Sequence, residues 1–332
     1  MSNPNFDTIA TTTLQHYSGT MTDNVFNAQP YLFWISQGAT ARDYPGGRTI
    51  VEEMMIAENS TVGTYDGYDV LSTTPQDGMS AAEFPLRQAA GTIAISGREI
   101  RLNSGSPEKV HDLLANKTMQ CEKSLVKLMN TQLLTSDGTG NSNKDWLGLE
   151  ILIGNEFIQP SVGGIDGSNA LNQYWRANID DNGNAASLDA AGPGTADRAL
   201  TLDLMRSMYY NCTDGTDQPD VIFTSRAQYQ NYEALMQPQQ QFVAGSAFAD
   251  AGFTTLHFHG TPVVYDNQIA DDRMYFLNAD YLWLRPDRSA WFLPTPQNRP
   301  HNQDAFFSNI LLMGNQTISS RRRQGLITKL TV

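Results

Sequence analysis

The sequence predicts an α+β protein, and three observations carry that prediction. Residues 107–135 hold one long helical pattern. Strand-like text rich in Ile, Val, Thr and aromatic residues flanks it, at 46–97 and again from 257 to the end of the chain. Between them, "PDVIFTSRAQYQNYEALM" switches from a short apolar run to helical spacing, which is the alternation of a mixed domain.

Composition narrows the function before any motif does. The chain has 332 residues, enough for one large domain or two ordinary ones with a real core. It is 40% hydrophobic, with a formal charge of −13 and a pI near 4.7. That charge argues against a dedicated nucleic-acid binder, because neutralising phosphates takes a surplus of Lys and Arg. Cys121 and Cys212 make neither a disulfide framework nor a CxxC metal motif, and both fall in helical patterns, so they are read as buried free thiols. The first residues have no basic segment followed by an apolar one, and no apolar run approaches the length of a bilayer span. The expectation is a protein that folds in a reducing cytoplasm without a membrane.

Residues 1–45 are polar except for "YLFWISQG", and read as an extended arm with a short helix or anchor around Val25 to Ile35. Tyr31, Phe33 and Trp34 would dock either on the chain's own core or on another chain. From Gly46 to Gly97, "GRTIVEEMMIAEN" and "RQAAGTIAISGREIRL" read as two strands of a long hairpin. The text between them is full of Gly, Pro, Asp, Ser and Thr and cannot bury itself, so the hairpin needs outside support.

The helix follows, with Ser106 as N-cap and Pro107 at its first position. Its predicted apolar stripe is Val110, Leu113, Leu114, Cys121, Leu125, Leu128, Met129 and Leu133, along a rod of about 40 Å. "DWLGLEILIGN" reads as a strand or turn-strand, and "GGIDGSN" as a turn. The stretch 172–195 reads as irregular, "LTLDLMRSMYYNC" as a helix, and Val221 to Phe223 as a buried strand leading to a helix capped near Thr224 or Ser225. Strands at 257–278 and two more in the tail complete the pattern, the last two separated by a polar segment with Arg321, Arg322 and Arg323.

Candidate chemistry is sparse. His257 and His259 are spaced i, i+2 and would share a strand face, with Asp266 or Asp271 as a third metal ligand. On that reading the chain is an acidic metallohydrolase using His257, His259 and Asp266. No HExxH, GxSxG or phosphate-loop signature accompanies them. The arginine cluster could touch phosphate or pair with acidic loops of a neighbouring subunit, and the net negative charge favours pairing.

Taken in order, "LGLEILIGN", "GGIDGSNALNQYWRAN", "PDVIFTSRAQYQNYEAL", "GTPVVYDNQIADDRMYFLNADYLWL" and "NILLMGNQTISSRRRQGLITKL" resemble the major capsid proteins of tailed double-stranded DNA bacteriophages, with the HK97-type fold. The resemblance implies an N-terminal arm at 1–45, an E-loop hairpin at 46–97, and a peripheral domain at 98–150 and 293–332 with its spine helix at 107–135. It places an axial domain at 151–292, where 257–278 would be strand, loop and strand. It also implies pentamers and hexamers closing into an icosahedral shell around the genome, a virion component with no catalytic activity and no cofactor. Implied partners are further copies of the chain, a portal, a separate scaffolding protein and a cement or decoration protein, with the DNA enclosed and not read. Tyr31, Phe33, Trp34, Arg321, Arg322 and Arg323 are the candidate intersubunit contacts. Some members crosslink through an E-loop lysine; residues 46–97 contain none, so a non-crosslinked shell is expected. An encapsulin-like compartment shell would share the same fold.

Overall fold

The computed structural model describes residues 29–37, 40–44, 46–102, 107–154, 161–181, 197–236 and 256–331, with the backbone alone at 102 and 107–113. The expected cap at Ser106 and most of the arm lie outside them. Helix α1 (Pro30–Ile35) comes first, then a hairpin of β1 (Thr49–Met55) and β2 (Met79–Pro85). Strand β3 (Arg87–Ser96) leads through α2 (Gly97–Leu102) to the long helix α3 (Pro107–Thr135). One turn of helix, α4, spans Leu149–Leu152. The tiny hairpin β4 (Ser161–Val162) and β5 (Ile165–Asp166) turns at Gly163 and Gly164, both at positive φ. Strand β6 (Asn178–Asp180), α5 (Leu202–Cys212), β7 (Val221–Thr224) and α6 (Arg226–Met236) follow. Strands β8 (Leu256–Phe258), β9 (Thr261–Tyr265), β10 (Met274–Leu277), β11 (Leu282–Pro294), β12 (Ala305–Ile318) and β13 (Gly325–Ile327) end the described chain.

Two sheets organise these elements. A mixed six-stranded sheet runs β6-β13-β10-β7-β9-β8. Its central strands β7 and β10 are buried at every position, which is why they read as unbroken apolar runs. Alternate residues serve opposite faces. Ile222, Met274 and Phe276 pack under α5 and α6 with Met205, Met208, Tyr209 and Tyr232. Val221, Phe223, Tyr275 and Leu277 belong to the main core on the other side. A second, antiparallel sheet runs β11-β12-β3, and α3 lies across it. The approach is close because residue 91 is glycine: a Cβ there would stand 2.5 Å from Cys121 Sγ and 2.9 Å from Leu125 Cδ1.

Several expectations change. The return strand of the hairpin is Met79–Pro85, not the run that begins at Arg87, whose strand Arg87–Ser96 instead pairs along its whole length with β12. "MSAAEFP" hides its strand because alanine is a weak β-former, yet Ala82 and Phe84 are both buried on one face opposite Glu52 and Ile50. "LGLEIL" is a helical turn, since a short apolar run carries no period to separate helix from strand. The supposedly irregular 172–195 region holds the end of a 3₁₀ turn (Ala170–Trp175) and β6. Residues 257–278 contribute three strands, the first two joined by a tight turn at His259 and Gly260. On α3, Leu128 is exposed and Cys121 half-buried, while Thr118, Glu122 and Asn130 occupy the core face. The expected boundary at 292/293 falls inside β11, and β13 inserts between β6 and β10 of the six-stranded sheet.

Candidate assembly interface

The hairpin is built to hold at one end and to project at the other. At its base Ile50 and Phe84, directly opposite each other, are buried in the main core. Glu52 beside them is also buried, and its carboxylate receives Arg285 Nε at 2.8 Å and Nη2 at 2.7 Å. Thr317 Oγ1 donates to the same carboxylate at 2.8 Å. Strands β11 and β12 therefore clamp the hairpin root with a charged, two-pronged contact. On the other side the Gly163 carbonyl accepts from Glu83 N at 2.9 Å, and a Cβ on Gly163 would sit 2.8 Å from Ala82 Cβ.

Beyond the root the character reverses. Val62, Tyr68 and Val70 are 81%, 104% and 98% exposed, and Tyr65, Leu71, Met55 and Met79 are exposed too. Described hydrogen bonds of the tip stay within it, such as Ser60 to Gln76 and Asp66 N to Asp69. An apolar arm held away from its own core marks an interaction surface.

The sequence-derived contact candidates divide. Tyr31 and Trp34 are buried and meet Phe223 edge-on at 5.4 and 5.7 Å, so α1 plugs the chain's own main core. Phe33 is half-buried beside them. Arg321 is fully buried: Nε donates to Leu152 O at 2.7 Å, Nη2 to Gly154 O at 2.7 Å and Nη1 to Trp175 O at 3.2 Å. Tyr31, Trp34 and Arg321 are thus corrected to interior roles; their side chains have no surface to offer a neighbour. A planar guanidinium with five donors suits a site where several chain segments end in carbonyls. Arg323 pairs with Asp214 at 2.7 Å, and Arg322 is exposed.

The metal reading fails on geometry. His257 lies on β8 opposite Pro262, but His259 sits in the turn at φ 50°, so strand alternation does not bring the two imidazoles to one face. His259 stacks on Tyr209 at 5.2 Å. Asp266 follows the far end of β9, about 13–17 Å along the strand from the level of either histidine. Its carboxylate is buried and occupied by Asn130 Nδ2 at 3.1 Å and Gln268 N at 2.9 Å, and burial pushes its pKa up. Among the described residues no group of three or more His, Cys, Asp or Glu is placed to hold a metal ion.

With the arm and its root in place, comparison with known proteins decides the family. The sequence matches the model of the SU10 major capsid protein family over residues 90–297, well over half of the chain. The chain belongs to the SU10 major capsid protein family. It is a shell-forming subunit of a bacteriophage virion, and the metallohydrolase and compartment-shell readings are set aside. No curated protein sequence matches it significantly. Solved structures agree on an HK97-like fold. The capsid of cyanophage A-1(L) is 17% identical, with a TM-score of 0.64 over 92% of this chain and 93% of that one. The capsid of a native GTA particle is 12% identical with a TM-score of 0.56, covering 90% of each chain. The SrpI encapsulin of Synechococcus elongatus PCC 7942 is 9% identical with a TM-score of 0.53, over 90% of this chain and 87% of that one. None of the capsid protein's described helices is long and apolar enough to cross a membrane.

Proposed function

We propose that this capsid subunit assembles with itself as pentamers and hexamers into an icosahedral shell around double-stranded DNA, without catalysis or a cofactor. The hairpin within 46–97 serves as the E-loop that reaches a neighbouring subunit, and α3 as the spine of the peripheral domain. That domain takes in 98–150 and much of 293–332, and the axial domain much of 151–292. The exposed apolar tip above a buried, ion-paired root carries the reading, because such an arm is useful only where a second molecule covers it. The lack of lysine in 46–97 supports a shell held by side-chain contacts and not by an E-loop isopeptide bond. The acidic chain supports a container that repels the DNA backbone. A separate scaffolding protein, a portal and a decoration protein are the partners such a shell takes.

The test replaces residues 57–77 by a two-residue Asn-Gly turn, which spares β1 and β2. Light scattering and negative-stain microscopy of wild-type material, co-expressed with its neighbouring genes, should give closed megadalton particles. The shortened chain should give folded subunits or capsomers only. Normal shells from it would remove the E-loop assignment.

A further inference from the structure

The long helix is charged unlike the chain it belongs to. Acidic residues outnumber basic ones 35 to 22 over the whole sequence, yet residues 114–135 of α3 carry three lysines and one carboxylate. That carboxylate, Glu122, is buried, and Lys117 is taken up by Glu99 at 2.9 Å and the Ala94 carbonyl at 3.1 Å. The helix packs on β3 through Cys121 and Leu125, which leaves its opposite side exposed. Asn116, Gln120, Lys123, Ser124, Lys127 and Thr135 lie there, at the three- and four-residue steps of one helical stripe about 28 Å long. Neither Lys123 nor Lys127 has a carboxylate partner among the described residues.

This set of side chains fits one class of partner. A surface that receives another protein is enriched in aromatic residues and depleted in lysine. The stripe has no aromatic residue, and its only large exposed apolar side chain is Leu128. Lysines interleaved with amides and hydroxyls, without a carboxylate, are instead the side chains that contact phosphate oxygens. Lys123 and Lys127 stand one turn apart, about 6 Å along the helix, and each strand of a DNA duplex offers a phosphate about every 3.4 Å. The pair therefore meets phosphates at any position along the duplex and reads no base. We propose that this face of α3 lines the inside of the shell and touches the backbone of the enclosed double-stranded DNA, with Lys123 and Lys127 as its charged contacts. Two cations per subunit make a shallow contact within a chain of net charge −13 that otherwise repels phosphate, so the duplex is steadied without being trapped. This rests on the reading of the chain as a genome shell.

The test compares DNA-filled particles of the full chain with the same particles emptied of DNA. Both are treated with the N-hydroxysuccinimide ester of acetic acid, and acetylated lysines are read by mass spectrometry. Lys123 and Lys127 should react at least about fivefold more slowly in filled particles than in emptied ones. In a second arm, filled particles are fixed with formaldehyde and digested with nuclease and protease. Nucleotide adducts should appear on Lys123 and Lys127. The double variant Lys123→Gln, Lys127→Gln should still close shells and should lower the total DNA–protein crosslink at least about threefold. Equal acetylation with and without DNA overturns the inference: fast in both leaves the face uncovered, and slow in both means that protein covers it. Protection confined to DNA-free precursor shells assigns the face to a scaffolding protein and overturns it too, as does protection without adducts on the two lysines. Each of these leaves the genome-shell reading standing. Particles that never contain DNA remove that reading, and this inference with it.

Discussion

Arg285 on β11 and Glu52 on β1 form a buried, two-pronged ion pair that fastens the projecting hairpin to the body of the subunit. The guanidinium also lies 5.1 Å from the centre of the Trp283 ring. Removing one partner strands the other charge in a site with little water. Arg285→Met should therefore cost about 3–5 kcal/mol in chemical denaturation, and the double variant with Glu52→Met should recover most of it. A double variant as unstable as the single one would show that the pair is not the anchor.

Glu122 gives a pH prediction. It sits on the core face of α3, its Oε2 has no partner, and burial raises its pKa to about 7. The folded chain then binds this proton more tightly than the unfolded chain, whose carboxyl titrates near 4.3. The stabilisation is fully present below that value and is lost as pH rises through about 7. Glu122→Gln should flatten the melting temperature across that window, against a wild-type curve that falls. Parallel slopes in the two proteins would rule out Glu122 as the group responsible.

The arginine run should behave unevenly. Arg321→Leu leaves three buried carbonyls without their donor and should cost more than about 3 kcal/mol. Arg322→Ala should stay within about 0.5 kcal/mol in the isolated subunit, because its side chain is exposed. Equal effects in urea unfolding would contradict the interior role of Arg321.

Gly91→Val tests the helix-to-sheet contact. The new Cβ would press on Cys121 Sγ and Leu125, an overpacking that should cost about 1–3 kcal/mol. Adding Cys121→Ala should return part of that loss, measured as the shift in urea midpoint. No interaction between the two changes would mean the helix stands farther from β3.

Much of the architecture was legible because it rests on local period. Helix α3, the doubly buried β7 and β10, and the capped helices α5 and α6 announce themselves within a dozen residues; Thr201 accepts from Leu204 N and Ser225 from Gln228 N as their residue types suggest. Pairing was not legible. Ala82 and Phe84 identify β2 only once Ile50 and Glu52 are seen opposite them. At the interface, the tip was visible as a segment too polar and too turn-rich to bury itself. Its root was not, since Glu52 finds Arg285 across more than 200 residues. Nor could charge alone tell Arg321, inside, from Arg322, outside; a triple arginine looks like surface until the carbonyls of 152, 154 and 175 converge on it.

The place of β13 has a consequence for the living cell. This strand pairs in parallel with β6 and antiparallel with β10, so two neighbours made long before wait for residues 325–327. A ribosome that halts before Gly325 releases a chain with β6 unpaired and the edge of β10 open. Long-range closure of this kind is slow and comes late. A chain that stops short of Gly325 therefore keeps an open sheet edge that the finished subunit closes, and an open edge is a template for aggregation.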